Sequence, residues 1–350
     1  MQRLRLPGLI DAHVHLREPG GEHKEDITTG TAAALAGGIA AVLDMPNNTP
    51  PIVDAAGLEA KWRLCRARAR CDYALFLGGG EGTPAALPVE QAVGLKLFLT
   101  PSYGPLHLES LATLLRIVRG WKPGRPIAVH AEGLSMAIPV GLAQMFGVKV
   151  HVCHVATAAE IALVRAAKER GAPVTCEVTP HHLFLDRRDA ASLGPLGQMK
   201  PPLAEPEDVA ALWENLAVAD LVASDHAPHT LAEKRGAQPP PGVPGVETML
   251  PLLLDAVAAG RLDLQRVVEL LHDGPRKVYG LVPPQGAVYV DLGGSWRLQG
   301  VDLHSKCGWT PYEGRAVRGC VRRVELRGRT VYEDGGVLAE PGYGRPCVWQ

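Results

Sequence analysis

Eight short runs rich in β-branched and apolar residues alternate with longer stretches of helical periodicity, and this alternation most limits the folds open to the chain. The runs are Leu9–His13, Ala40–Met45, Tyr73–Leu77, Gly94–Leu99, Ile127–His130, Val148–Val155, Val174–Thr179 and Leu221–Ser224. Helical spacing marks Thr28–Ala36, Asp54–Arg70, Leu108–Val118, Gly133–Phe146, Ala158–Arg170 and Pro206–Ala217 between them, with Glu247–Ala259 and Leu264–Leu271 after the last. Strands alternating with helices pair in parallel, so eight repeats predict an α/β chain closed into a (β/α)8 barrel of the TIM type. A doubly wound open sheet would carry a glycine-rich phosphate loop after an early strand. Gly78-Gly-Gly-Glu-Gly82 has neither the dinucleotide fingerprint nor a Walker lysine and reads as a plain loop.

The chain has 350 residues, enough for one large barrel over 8–280. Beyond it the pattern changes to short pieces, Ala287–Asp291, Trp296–Leu298, Gly319–Leu326 and Thr330–Tyr332. They predict a small β appendage over 281–350, packed on the barrel with the first few N-terminal residues. The basic stretch Arg315–Arg329 alternates with apolar residues and reads as a solvated strand face. The formal net charge is −1, which gives no electrostatic case for nucleic acid or an anionic membrane and favours a small-molecule substrate. Seven scattered cysteines without a Cys-X-X-Cys pair argue against a disulfide framework. Neither an apolar leader at Met1–Pro7 nor a membrane-length apolar run is present, so a soluble cytoplasmic protein is expected.

In such a barrel the active site lies at the C-terminal ends of the strands. Those ends carry His13 and His15, Lys96, His130, His151 and His154, Glu177 followed by His181 and His182, and Ser224-Asp225-His226. Residues i and i+2 of a strand share a face, so His13 and His15 can address one point. A single histidine pair of this kind is more often structural. Convergence from several strands is not, because each buried imidazole needs a partner. Imidazole and carboxylate donors without clustered cysteines favour zinc or another divalent cation in an open site, and hence metal-assisted hydrolysis. A lysine ammonium at Lys96 would be repelled by such a cation. It is either solvated or paired elsewhere, or it is neutral and able to add carbon dioxide, giving a carbamate that bridges two metals. Two loops, 100–105 after the fourth strand and the proline-rich 238–245, are either site walls or plain connections.

The motifs Asp-Ala-His-Val-His-Leu-Arg-Glu-Pro-Gly-Gly at 11–21, Met-Pro-Asn at 45–47, Gly-Leu-Lys-Leu-Phe-Leu at 94–99, Val-His-Ala-Glu at 129–132, His-Val-Cys-His at 151–154, Glu-Val-Thr-Pro-His-His-Leu at 177–183 and Ser-Asp-His-Ala-Pro-His at 224–229 resemble dihydroorotases of the amidohydrolase superfamily. The likeness is strongest to the dihydroorotase domain of the animal multifunctional pyrimidine-synthesis protein, and it spans essentially the whole chain. It implies reversible cyclisation of N-carbamoyl-L-aspartate to L-dihydroorotate in pyrimidine biosynthesis. His13, His15 and Asp225 would bind one zinc and His130 and His154 a second, with N6-carboxylated Lys96 and a hydroxide between them. Cys153 and Glu177 match positions that hold an additional, third zinc.

On the same basis Arg17, Asn47 and His229 hold the substrate carboxylate, backbone near Pro241 closes the ring pocket, and Asp225 is the catalytic proton carrier. Three departures from the resembled pattern stand out. Ser102-Tyr103 replaces a Thr-Phe pair in the catalytic loop. Lys200 replaces a substrate-contacting arginine, losing its bidentate geometry. Met-Pro-Asn-Asn leaves open whether Asn47 or Asn48 faces the substrate. A homodimer and association with aspartate transcarbamoylase are the expected assemblies. The alternatives are a cyclic-amide hydrolase of dihydropyrimidinase, hydantoinase or allantoinase type, whose first two substrate classes lack the carboxylate Arg17 would grip, and an inactive scaffold for aspartate transcarbamoylase.

Overall fold

The computed structural model describes residues 3–83, 87, 89–121 and 124–349. Met1 and Gln2 of the N-terminal segment and Gln350 of the expected appendage lie outside the described residues. In chain order the strands are β1 (Arg3–Pro7), β2 (Leu9–Val14), β3 (Ile39–Asp44), β4 (Asp72–Gly78), β5 (Gly94–Phe98), β6 (Ile127–His130), β7 (Val150–Val152), β8 (Val174–Val178) and β9 (Leu221–Val222), followed by β10 (Gly286–Arg297), β11 (Ala316–Leu326), β12 (Arg329–Glu333) and β13 (Gly336–Val337). β2 to β9 form one parallel sheet in sequential order. A parallel bridge between Val14 and His226, with His15 N donating to the His226 carbonyl at 2.8 Å, brings the exit of β9 back against β2. The eight runs read from the sequence all coincide with these eight strands, and the fold is the expected barrel.

β2 to β5 are buried along their whole length, which is why they read as near-continuous apolar runs rather than as alternating ones. Alternate residues divide between two layers. Ile10 and Ala12, Ala41 and Leu43, and Ala74 and Phe76 fill the barrel interior, where small side chains leave room for Phe76 against the Tyr279 ring. Leu9, Val42, Leu75 and Leu77 face outward into the helical layer. The helix Ile27–Ala36 starts at Asp26, whose carboxylate accepts from Thr29 N in a capping box, and Thr157 does the same for Ala158–Glu169.

A second, antiparallel sheet has the order β1-β10-β11-β12-β13, so the N-terminal strand is shared with the C-terminal pieces. The separate runs 287–291 and 296–298 are one strand, β10, whose register breaks between Asp291 and Ser295 around Gly293-Gly294. The run expected over 148–155 pairs only over Val150–Val152, because the chain turns out of the sheet at His154, whose φ is 37°. The stretch 133–146 divides into a 3₁₀ turn, Gly133–Met136, and the α-helix Ala137–Phe146. The helix begun at Leu264 passes through a π turn, Glu269–Asp273, and runs on to Tyr279. Pro180–Phe184, Arg187–Leu193 and Leu231–Lys234 are helices too short to leave a readable period. Among the described residues no helix is long and apolar enough to cross a membrane.

Candidate active site

The expected ligands meet at the C-terminal mouth of the barrel. β2 presents His13, and the chain just beyond it presents His15. Their Nε2 atoms lie 3.3 and 3.1 Å from the same Asp225 oxygen. Across the mouth, His130 at the end of β6 and His154 beyond β7 face each other, His130 Nδ1 to His154 Nε2, at 2.9 Å. Lys96, fully buried in β5, places Nζ 3.5 Å from His13 Nε2 and 2.9 Å from Cys153 Sγ. Five non-glycine residues among those described have positive φ, and Arg17 (62°), His154 (37°) and Asp225 (45°) are three of them. Backbone held in this sparsely populated region persists only where surrounding structure fixes it, and it collects at functional sites.

Burial pushes His15 down to about 3 and holds His154 well below its ordinary value, the latter with help from His130. Burial also opposes charge on Asp225, yet His13 and His15 hold its carboxyl well below the usual carboxylate range. The mouth therefore gathers the lone pairs of His15, His130 and His154 around a carboxylate, whereas His13, between Glu177 and Asp225, is pushed up to about 10. Neutral His130 and His154 face each other with one proton to share at most; His154 Nδ1 finds no hydrogen-bond partner, and His130 Nε2 lies 3.3 Å from Glu132 Oε1. A cation completes such a set, and nitrogen with carboxylate donors suits zinc. His13, His15 and Asp225 have donor atoms within 4.8 Å of one another, as do His13, Cys153 and Glu177. Glu177 also supports the first group from beneath. Its two oxygens lie 2.5 Å from His13 Nδ1 and 3.1 Å from His151 Nε2, so His13 is oriented with Nε2 toward the mouth.

Of the expected substrate residues, Arg17, Asn47, Ser102, Tyr103, Lys200 and Pro241 line the same pocket with Phe98, Ala227 and Gly242, while His229 is fully buried behind this lining, against Arg17. Asn47 rather than Asn48 faces it: Asn47 Oδ1 lies 2.6 Å from His15 Nδ1, whereas Asn48 Oδ1 accepts from buried Lys61. Arg17 anchors Nε on the Pro228 carbonyl at 3.0 Å and brings Nη2 to 3.1 Å from His229 Nε2. That nitrogen also lies 3.1 Å from the Pro241 carbonyl. The proline-rich loop is thus a site wall. Its Gly242 has φ 134°, and a Cβ there would meet the Ala227 carbonyl oxygen at 2.6 Å. The 100–105 loop closes the top, with the Tyr103 carbonyl accepting from Asn47 Nδ2 at 3.0 Å, and the remaining free volume is about 30 Å³. A larger cavity of about 550 Å³ opens at the opposite end of the barrel, beside Lys149, Thr175 and Arg266, away from these ligands.

Residues 2–75 match the family model "Dihydro-orotase-like". The chain is 37% identical to the dihydroorotase of Pyrococcus furiosus over 96% of this chain and 83% of that one. The chain belongs to the dihydroorotase family. It is also 49% identical to the multifunctional protein CAD of Squalus acanthias, over 98% of this chain but only 15% of that protein's length. The relation to the Dictyostelium discoideum multifunctional protein pyr1-3 is similar, so the chain spans about a sixth of these multifunctional relatives. In solved structures the fold matches the L-hydantoinase of Arthrobacter aurescens with a TM-score of 0.91 at 25% identity, covering 99% of this chain and 89% of that one. It matches an inactive dihydroorotase-like domain of a Chaetomium thermophilum CAD-like protein with a TM-score of 0.84 at 25% identity, covering 99% of each.

Against the resembled dihydroorotase pattern, the three departures have definite places. Lys200 lines the pocket with its side chain 43% exposed and Nζ 3.8 Å from Glu132, so it reaches the site as a mobile point charge. Tyr103 brings its ring near both the Arg17 guanidinium and the Lys24 ammonium, 4.9 and 4.7 Å from the centroid, while Ser102 stays on the pocket lining. Three buried lysines escaped sequence reasoning. Lys24 lies in the charged run Glu22-His-Lys-Glu-Asp26, whose composition gives no sign of burial. Lys61 pairs with Asp44 at 2.8 Å, and its neighbours Leu58, Trp62 and Cys65 on one helix face were the available signal. Lys234 donates to the Gln198, Pro240 and Gly242 carbonyls and pins the proline-rich wall.

Proposed function

We propose that this chain is a dihydroorotase, catalysing reversible cyclisation of N-carbamoyl-L-aspartate to L-dihydroorotate in pyrimidine biosynthesis. The observation that carries this reading is the convergence of Arg17 Nη2 and His229 Nε2 at 3.1 Å, beside the ligand cluster. Two such groups close together suit an anionic oxygen, and a guanidinium favours a carboxylate. Hydantoinase- and dihydropyrimidinase-type substrates offer no carboxylate there. In this reading residues 8–280 carry the reaction, and 281–350 with β1 form an appendage.

His13, His15 and Asp225 would hold one zinc and His130 and His154 another, with carboxylated Lys96 between them and Cys153 with Glu177 available to a third. When bound, the metals lower the pKa of water and polarise the carbonyl under attack. Asp225 takes the proton from the attacking water on its carboxylate and delivers it to the leaving ring nitrogen; in cyclisation the same oxygen works in reverse. Arg17, Asn47 and His229 hold the substrate carboxylate, and Lys200 adds charge at the rim. Backbone at Pro241 and Gly242 walls the ring. Ser102 and Tyr103 close the loop over it and exclude water, and the small free volume of the closed site requires that loop to move for entry.

A homodimer is supported by an apolar stripe on Gly133–Phe146, where Leu134, Ile138, Met145 and Phe146 are exposed at helical spacing. The kinship with multifunctional proteins supports association with other enzyme activities, and aspartate transcarbamoylase in the cytoplasm is the partner and setting of this reading. The complete ligand set favours an active enzyme over a scaffold. Ring opening measured on zinc-loaded protein tests the reading. Turnover of dihydroorotate, with dihydrouracil, hydantoin and allantoin left essentially untouched, is expected. Zinc-loaded protein inert toward dihydroorotate and carbamoyl aspartate would overturn it.

A further inference from the structure

Lys24 is buried at the pocket rim, with 5% of its surface exposed. Its ammonium meets three groups: Glu233 Oε1 at 2.9 Å, Tyr103 Oη at 3.0 Å and His229 Nδ1 at 3.1 Å. An ammonium has three N–H donors and no lone pair, so every one of these partners accepts. His229 Nδ1 is therefore the lone-pair nitrogen, and the ring proton sits on Nε2. There it donates to the Pro241 carbonyl. Nε2–H and Arg17 Nη2 then approach each other as two donors that cannot bond to one another, and an anion arriving beside Arg17 would share the Nε2–H that the Pro241 carbonyl holds. A doubly protonated ring would set Nδ1–H against Lys24 and Nε2–H against Arg17. In keeping with this, burial, Arg17 and Lys24 hold the His229 imidazole far below its ordinary value.

We propose that Lys24 is a positioning residue: its ammonium fixes His229 as the Nε2–H tautomer, so that His229 can donate to the substrate carboxylate beside Arg17, and it latches the 100–105 loop through Tyr103 Oη. The proposal rests on the carboxylate-binding reading above. The tautomer itself is independent of that reading, because it is set before any substrate binds. The Tyr103 hydroxyl gives the latch a bond that a phenylalanine in the loop could not make. Glu233 holds the ammonium in place, and the same carboxylate accepts from Thr230 N, which fixes it on the short helix that follows His229.

Histidine-¹⁵N-labelled, zinc-loaded protein gives the tautomer directly by long-range ¹⁵N–¹H correlation, with His229 assigned by the His229→Asn variant. A pyridine-type Nδ1 and a pyrrole-type Nε2 are expected. The reverse pattern, or a doubly protonated ring at neutral pH, overturns the proposal whether or not any Lys24 variant folds. In Lys24→Met the Nε2–H signature should give way to a tautomer mixture and KM for dihydroorotate should rise tenfold or more, with kcat changing less than KM. Lys24→Arg, which keeps the charge and donors, should restore the signature and part of the KM. Tyr103→Phe should leave the tautomer intact. An unchanged spectrum and a KM within twofold of wild type in Lys24→Met overturn the assignment. Wild-type protein that shows the tautomer but no dihydroorotate turnover would count against the proposed reaction and not against the tautomer.

Discussion

Replacing Lys61 by methionine should destabilise the protein and loosen the substrate side of the pocket together. Lys61 is 1% exposed, pairs with Asp44 at 2.8 Å, and donates to the Met45 carbonyl at 3.0 Å and Asn48 Oδ1 at 2.6 Å. Asp44 in turn accepts from Leu16 N at 2.9 Å, in the strap between His15 and Arg17. Lys61→Met keeps most of the volume but leaves a buried carboxylate without its cation, which costs about 3–5 kcal/mol. Against a total stability of about 5–15 kcal/mol this is a large loss. Asp44→Asn in the same chain removes the stranded charge while keeping an acceptor for Leu16 N, so the double variant should recover roughly half of it. Urea unfolding of the zinc-loaded proteins, followed by far-UV circular dichroism, measures both. KM for dihydroorotate should rise in the single variant, because Asn48 is released beside Asn47. A loss below about 1 kcal/mol in the single variant, or a double variant as unstable as the two losses added, would refute the reasoning.

Lys96→Ala should bind fewer than two zinc ions by metal analysis and lose nearly all turnover; retention of two tightly bound ions with full activity would contradict the bridging role. Burial pushes His182 down from its ordinary value of 6.5 to about 4, with Nε2–H donating to the Pro201 carbonyl. As pH falls through that window the unfolded chain takes up a proton that the folded chain refuses, so stability is full above about 6.5 and declines toward 4. The total for this residue is about 3 kcal/mol. In His182→Gln the difference in unfolding free energy between pH 7 and 4.5 should shrink by most of that amount, and an unaltered slope would show that His182 is not the group responsible.

The loop over the site illustrates how far residue types alone carry a prediction. A tyrosine in 100–105 is visible in the sequence, and so is Lys24. Their meeting across 79 positions depends on how far the segment after β2 swings over the barrel mouth. The choice between Asn47 and Asn48 has the same character. Either amide satisfies the motif, and the buried ammonium of Lys61 decides it by drawing Asn48 away. The shortened β7 is a third case: its apolar run continues past Val152, but the left-handed turn at His154 ends the pairing and aims an imidazole at His130.

Periodicity and strand-end chemistry by themselves determined the barrel, its eight strands and the residues that crowd its mouth, because parallel strands buried on both faces leave continuous apolar runs and a polar residue at their ends is an exception that needs a cause. Tertiary structure alone decided which nitrogen of each histidine faces which partner, which lysines are buried, and where the backbone turns left-handed. Those properties depend on contacts between segments distant in sequence. A buried ammonium, unlike an apolar stripe, leaves no period behind.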